Sequence, residues 1–263
     1  MGSIVSVHSY RGGTGKSNIT ANLALALADG GARVGIVDTD LPSPGIHVLF
    51  GLRDQQLSRT LNDALYGQCA IEEAAYHVTP QGLADTNGRI YLVPASLRPA
   101  DIAKVLREGY EIQRLNDGFL RLMDQLKLDF LLVDTHPGLN EETLLSIAVS
   151  DVSLLIVRPD QQDFLGTAVT VDVARRLQAP NMLLVLNKVL PGMDTEALRH
   201  DLEATLHADV AATFLLTTEL LQLGSAGLFR LLNPHTAWSA EMNRLASKIR
   251  AVCTVHAGGG STP

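Results

Sequence analysis

Two hydrophobic rhythms alternate along this chain: short continuous apolar runs, and longer stretches with helix-like spacing. Ile4-Val5-Ser6-Val7 opens as a strand, and 17–28 is rich in Ala and Leu and stops at Gly30-Gly31, which predicts a helix with a glycine C-cap. Arg33-Val34-Gly35-Ile36-Val37-Asp38 is the next strand. In Phe130-Leu131-Leu132-Val133-Asp134 the apolar residues are consecutive rather than alternate, as in a strand covered on both faces. Further strands are predicted over 89–94, 152–157, 182–187 and 210–215. Helices are predicted over 60–66, 71–76, 101–126, 167–177, 198–206, 219–232 and 237–252. The prolines of Leu41-Pro42-Ser43-Pro44-Gly45 mark a loop. Repeated βα units predict an α/β fold: a doubly wound, mostly parallel sheet flanked by helices in three layers, with its site at the carboxyl ends of the strands. With no internal repeat and no linker, one domain is expected over 3–255, followed by a flexible tail over 256–263.

The candidate chemistry begins between the first strand and the first helix, at Ser9-Tyr10-Arg11-Gly12-Gly13-Thr14-Gly15-Lys16-Ser17. Small residues here let successive backbone N–H groups turn inward around a triphosphate, and the helix N-terminus adds its positive dipole end. Gly12, Gly13, Thr14, Gly15, Lys16, Ser17 and Asn18 are the candidate nucleotide-binding residues. Lys16 would reach the β/γ-phosphates and Ser17 would ligate Mg²⁺. In the pattern G-x-x-x-x-G-K-[ST], Tyr10 occupies the first glycine position.

Two strands then end in carboxylates, at Asp38-Thr39-Asp40 and at Asp134-Thr135-His136-Pro137-Gly138. Phosphoryl transfer to water needs Mg²⁺ to neutralise charge and a group that orients the attacking water, and a strand-end carboxylate can do either. Asn187 ends another strand with an amide able to give and accept hydrogen bonds at a purine edge. Lys188 follows it, but Leu190 stands where a guanine-specifying N-K-x-D motif has its Asp, which favours ATP over GTP.

The loop resembles the deviant P-loop of the MinD/ParA superfamily, usually K-G-G-x-G-K-[ST], with Arg11 in place of the signature lysine. Residues 134–138 resemble its switch II, commonly D-[ST]-P-x-G, with His136 in the third position. The resemblance runs from about Ile4 to Ile249. It implies a P-loop ATPase that hydrolyses ATP to ADP with Mg²⁺ and forms an ATP-dependent homodimer. Arg11 would reach the partner subunit's phosphates, so Arg11, Lys16 and Asp40 are the implied catalytic residues. Asp40 would be the switch I residue that positions water, with Asp38 as its outer companion. Ser17, Asp40 and Asp134 would surround the metal directly or through water, and Asn187 would read adenine. The resemblance further implies a switch that positions or regulates a cargo through an unidentified protein activator or cargo adaptor. The other reading is a nucleotide-binding regulatory or scaffold protein with little turnover, should arginine at position 11 disable hydrolysis. His136 reads as a loop histidine rather than a general base.

Composition narrows the partners. The 263 residues carry a net charge of −7 and 46% apolar residues with only 5% aromatic, as suits helices covering a parallel sheet. The negative balance argues against a constitutive polyanion binder. Basic residues from Arg199 onward are matched by acidic ones, so a DNA contact would need positives that folding brings together. Cys69 and Cys253 form no C-x-x-C pair, which disfavours metal delivery. In the last helix Leu245, Ile249 and Val252 make a stripe without Trp or Phe, read as core rather than as a membrane anchor. No apolar run approaches the roughly 20 residues of a span, and the first seven residues lack a basic start, so a cytoplasmic location is expected.

Overall fold

The computed structural model describes residues 2–83 and 86–258, and in it the apolar runs become eight strands. These are β1 (Ser3–His8), β2 (Arg33–Asp38), β3 (Tyr76–His77), β4 (Arg89–Val93), β5 (Phe130–Asp134), β6 (Val152–Val157), β7 (Met182–Val189) and β8 (Asp209–Leu215). They form one sheet in the order β3-β4-β2-β5-β1-β6-β7-β8, parallel throughout except for the short β3. The chain runs outward on one side of β1 and, after β5, outward on the other. The order therefore reverses beside the carboxyl end of β1, where open α/β sheets form their crevice. Register sets Val7 beside Asp134 and Asp134 beside Asp38, so two strand-end carboxylates become neighbours next to the glycine loop.

Side chains alternate between the two faces of the sheet as the pleat requires. Phe130 and Leu132 of β5 join a core with α1 (Lys16–Asp29), α2 (Ile46–Leu49), α10 (Phe229–Leu232) and α11 (Ala237–Gly258). Leu131 and Val133 join the opposite core, which includes α3 (Leu61–Leu65), α4 (Pro99–Glu108) and α5 (Ile112–Gln125). Beyond β1 that second face is covered by α6 (Glu141–Val149), α7 (Gln161–Arg176) and α8 (Thr195–Leu206), with α9 (Thr218–Leu223) following β8. The first helix, α1, lies between the sheet and α11 and is buried on nearly every side, which explains an apolar content too high for an amphipathic stripe.

Two expected helices are each divided. The 101–126 stretch breaks at Gly109, whose φ of 62° ends α4. The 219–232 stretch breaks where Gly224, Ser225 and Gly227 all take positive φ. A helix not expected from periodicity, α6, starts at Asn140, whose side chain accepts from the Thr143 amide. Likewise α7 starts six residues earlier than 167, at an Asp160 cap that accepts from Asp163 N. Helix α11 extends to Gly258, past the expected start of the tail, and 259–263 lie outside the described residues.

Candidate nucleotide-binding site

The loop from Ser9 to Ser17 joins β1 to α1. Gly13 and Gly15 adopt φ of 74° and 99°, and Gly15 is the left-handed N-cap of α1. Such a path is open to glycine at little cost. Among the described residues the amides of Gly12 through Ser17 make no hydrogen bond, while two loop carbonyls are held from behind. Asn187 Nδ2 donates to Thr14 O at 2.8 Å and Lys188 Nζ donates to Gly13 O at 2.7 Å. Burial, and then the nearby Arg158, lowers the Lys188 pKa. With those carbonyls committed to the β7 end, the loop presents free N–H groups beside the buried Lys16, an arrangement suited to an anion.

A cavity of about 360 Å³ lies against this loop. Its walls include Gly12, Gly13, Gly15, Lys16, Ser17 and Asn18, with Asp40 and Ser43 from the loop after β2, Pro137 after β5, and Ser225. A larger cavity of about 560 Å³ beside β8, reaching from Arg199 to Trp238, shares no residue with it. The glycine loop, Lys16 and Ser17 all belong to the smaller one.

Beneath the loop, Asp38 and Asp134 are 1% exposed. Asp134 accepts from Thr20 Oγ1 at 3.1 Å and from the Ser17 hydroxyl, yet burial pushes its carboxyl up to about 6. Burial, reinforced by the charges of Asp134 and Asp40, also holds Asp38 well above the usual carboxylate range. Two buried carboxyls and a serine hydroxyl beside the single charge of Lys16 make a hard oxygen donor set short of positive charge. That set fits Mg²⁺. Asp40 is more open. Its Oδ1 accepts from Ser43 N at 3.1 Å, Ser43 Oγ at 2.9 Å and His136 Nδ1 at 2.7 Å.

The residues selected from sequence therefore divide. Gly12, Gly13, Gly15, Lys16, Ser17, Asn18 and Asp40 line one cavity, Thr14 is buried in the same loop, and Asp134 lies below it at the end of β5. Asn187 stands behind the loop, with one N–H of its amide donated to Thr14 O. Arg11 is exposed, outside the cavity walls, and donates to Gln162 Oε1 of α7. Sequence reasoning missed the Lys188 brace, the Thr20 bond to Asp134, and Ser225, whose only signal was the glycine pair Gly224 and Gly227 around it. It also missed Gly166, in the middle of α7, over which the Tyr10 ring lies.

The family profile of ParA, described as NUBPL iron-transfer P-loop NTPase, matches residues 1–189. The chain belongs to this family of P-loop NTPases. It is 28% identical over 185 residues to an uncharacterised ATP-binding protein of Methanocaldococcus jannaschii, covering 70% of this chain and 64% of that protein. It is 30% identical over 187 residues to an iron-sulfur cluster carrier protein of Methanococcus maripaludis, covering 70% and 59%. The match thus spans less than two thirds of the length of each of these relatives. The fold is that of the septum site-determining protein MinD of Pyrococcus horikoshii, a structure with Mg-ADP. The TM-score is 0.80 at 22% identity, covering 98% of this chain and all of that one. Members of the ParA family are nucleotide-binding proteins that generally hydrolyse their nucleotide, and the eight-stranded sheet is that P-loop NTPase fold. No helix among the described residues is long and apolar enough to cross a membrane.

Proposed function

We propose that this protein is an ATP-dependent switch of the MinD/ParA type, which dimerises on ATP, hydrolyses it to ADP, and thereby positions or regulates a partner or cargo. The observation that carries the reading is one cavity walled by uncommitted amides, Lys16, Ser17 and Asp40, above the buried Asp134. The amides and Lys16 bind and orient the phosphates, so the reacting groups meet without further ordering. Ser17 and Asp134 would hold Mg²⁺, which supplies charge neutralisation at the phosphates when bound. Asp40 orients the attacking water. Asn187 retains its amide oxygen to accept from the adenine amino group.

Nothing in the placement of the cysteines favours iron transfer by this chain. Cys253 belongs to the core on the α11 face, and Cys69 packs against the opposite core. The scaffold reading draws on one observation, that Arg11 is engaged with Gln162 of its own chain. Phosphate release from Mg-ATP decides between the two. Turnover by the wild-type protein that disappears in folded Lys16→Ala is the expected result. Equal turnover in both proteins would overturn the P-loop assignment, and none in either would favour the scaffold.

A further inference from the structure

The third position of switch II carries a histidine bonded to the switch I carboxylate, and every group that sets this contact is itself fixed. His8, at the end of β1, is fully buried. Its Nδ1 lies 2.9 Å from Thr135 Oγ1, and the Thr135 hydroxyl donates to Val7 O at 3.0 Å. That hydroxyl has one proton and spends it on Val7, so His8 Nδ1–H is the donor and Thr135 the acceptor. The Thr135 amide also bonds Val7 O, at 3.2 Å. On the other side, Thr143 Oγ1 of α6 donates to His136 O at 3.3 Å. The backbone that carries His136 is therefore tied both to the sheet and to α6.

Its ring then meets Asp40 Oδ1 at 2.7 Å. A carboxylate oxygen only accepts, so His136 Nδ1 carries the proton in this contact. Together with the Ser43 amide and hydroxyl, this gives Oδ1 three donors, while no hydrogen bond within the described residues reaches Oδ2. Three donors on one oxygen fix both the position and the plane of the carboxylate. Its other oxygen remains for the cavity that Asp40 lines.

We propose that His136 is a positioning residue for hydrolysis: it donates to Asp40 Oδ1 and so holds Oδ2 in place for the attacking water. The inference rests on the ATPase reading above. It assigns His136 no proton transfer and no contact with nucleotide. A group that acts on the chemical step through Asp40 should alter kcat and leave substrate binding alone.

The test combines turnover with a readout that needs no nucleotide. Among replacements, asparagine best mimics the Nδ1–H donor, because its amide nitrogen occupies nearly that position. Alanine offers no donor. We expect His136→Ala to lower kcat about tenfold or more with KM for ATP within roughly threefold, and His136→Asn to recover most of the loss. In nucleotide-free protein, hydrogen exchange at the Ser43 amide should accelerate in His136→Ala and return toward wild type in His136→Asn. Unchanged or raised kcat in His136→Ala would overturn the proposal, as would a loss that appears only in KM or a failure of asparagine to recover either readout. A wild-type protein without turnover would instead sink the ATPase reading, and unchanged Ser43 exchange in His136→Ala would then still reject the contact by itself.

Discussion

Asp134 is stable in this fold only against a cost, and the cost has a pH signature. Its folded pKa of about 6 lies above the usual 3.8, because burial penalises the charged form. A raised acid binds its proton more readily folded than unfolded, so stability falls as pH rises from about 4 through about 6 and stays lower above that. His8 slopes the other way: burial lowers its pKa to about 3, so acid removes stability below about 6.5 as the unfolded chain takes up the proton. Asp134→Asn should therefore raise the unfolding free energy of metal-free, nucleotide-free protein at pH 8 by on the order of 2–3 kcal/mol, read as a higher Tm, and change it little near pH 4. Part of the gain comes from Asp38, which loses a charged neighbour. The same variant should lose stabilisation by Mg-ATP. A variant no more stable than wild type at pH 8 would contradict the charge deficit from which the Mg²⁺ site is argued. The acidic strand ends were legible in the sequence because a carboxylate after an apolar run is conspicuous. Their burial was not, since it depends on which strands become neighbours. Asn187 was legible as a strand-end amide, while its bond to Thr14 O is a tertiary fact. ATP should still be preferred over GTP, because Leu190 offers nothing to the guanine amino group, and equal affinity in competition binding would remove Asn187 from that role.

At the scale of elements, α7 explains the unusual first half of the phosphate loop. A glycine within a helix costs about 1 kcal/mol relative to alanine, yet Gly166 lies in mid-α7, where a Cβ would overlap the Tyr10 ring at Cδ1 and at Cγ. The tyrosine in the first glycine position of the loop pattern and the glycine inside a helix are thus two halves of one contact. Arg11 adds a second tie to the same helix through Gln162. Gly166→Ala should displace the ring and, through Tyr10, the loop, lowering ATP affinity despite the better helix propensity. The double variant Tyr10→Gly with Gly166→Ala should restore affinity and gain stability of about 1 kcal/mol from the helix. Loss of affinity in the double variant equal to the single one would show that the contact does not govern the loop. Periodicity could not reveal this pairing, because the two residues are far apart in sequence and neither is apolar core. The same limit let the helix predictions over 101–126 and 219–232 run through Gly109 and Gly224, where the pattern continues although the backbone turns. The cap signals at Asn140 and Asp160 were present in the sequence and would have placed α6 and α7 more closely.

For the whole molecule, the alternation of strands and helices was enough to read the sheet, and the order of motifs was enough to read the family. Register then did what sequence could not, setting Asp38 beside Asp134 across 96 positions of chain. Arg11 remains outside the cavity formed by its own subunit, exposed and parked on Gln162. That placement suits a group whose phosphate contacts lie across a dimer rather than within one chain, where a guanidinium can bond phosphate oxygens bidentately. Arg11→Ala should leave ATP affinity of the monomer within a few-fold while reducing ATP-dependent dimerisation and turnover together, and Arg11→Lys should recover part of both. Asp40→Ala should keep ATP affinity and give a long-lived ATP dimer in light scattering. Mixing the two alanine variants separates action across the interface from action within a subunit. In a mixed dimer, the site with an intact Asp40 receives its basic group from the Asp40→Ala partner, whereas the other site lacks both. Unbiased pairing would return roughly one quarter of the wild-type rate, and the weaker self-association of Arg11→Ala makes that a ceiling, so turnover should partly return above that of either variant alone. If mixed dimers form and no rate returns, Arg11 acts inside its own subunit or not at all. The contact with Gln162 would then be its working position, and the sandwich dimer would lose its main support in this chain.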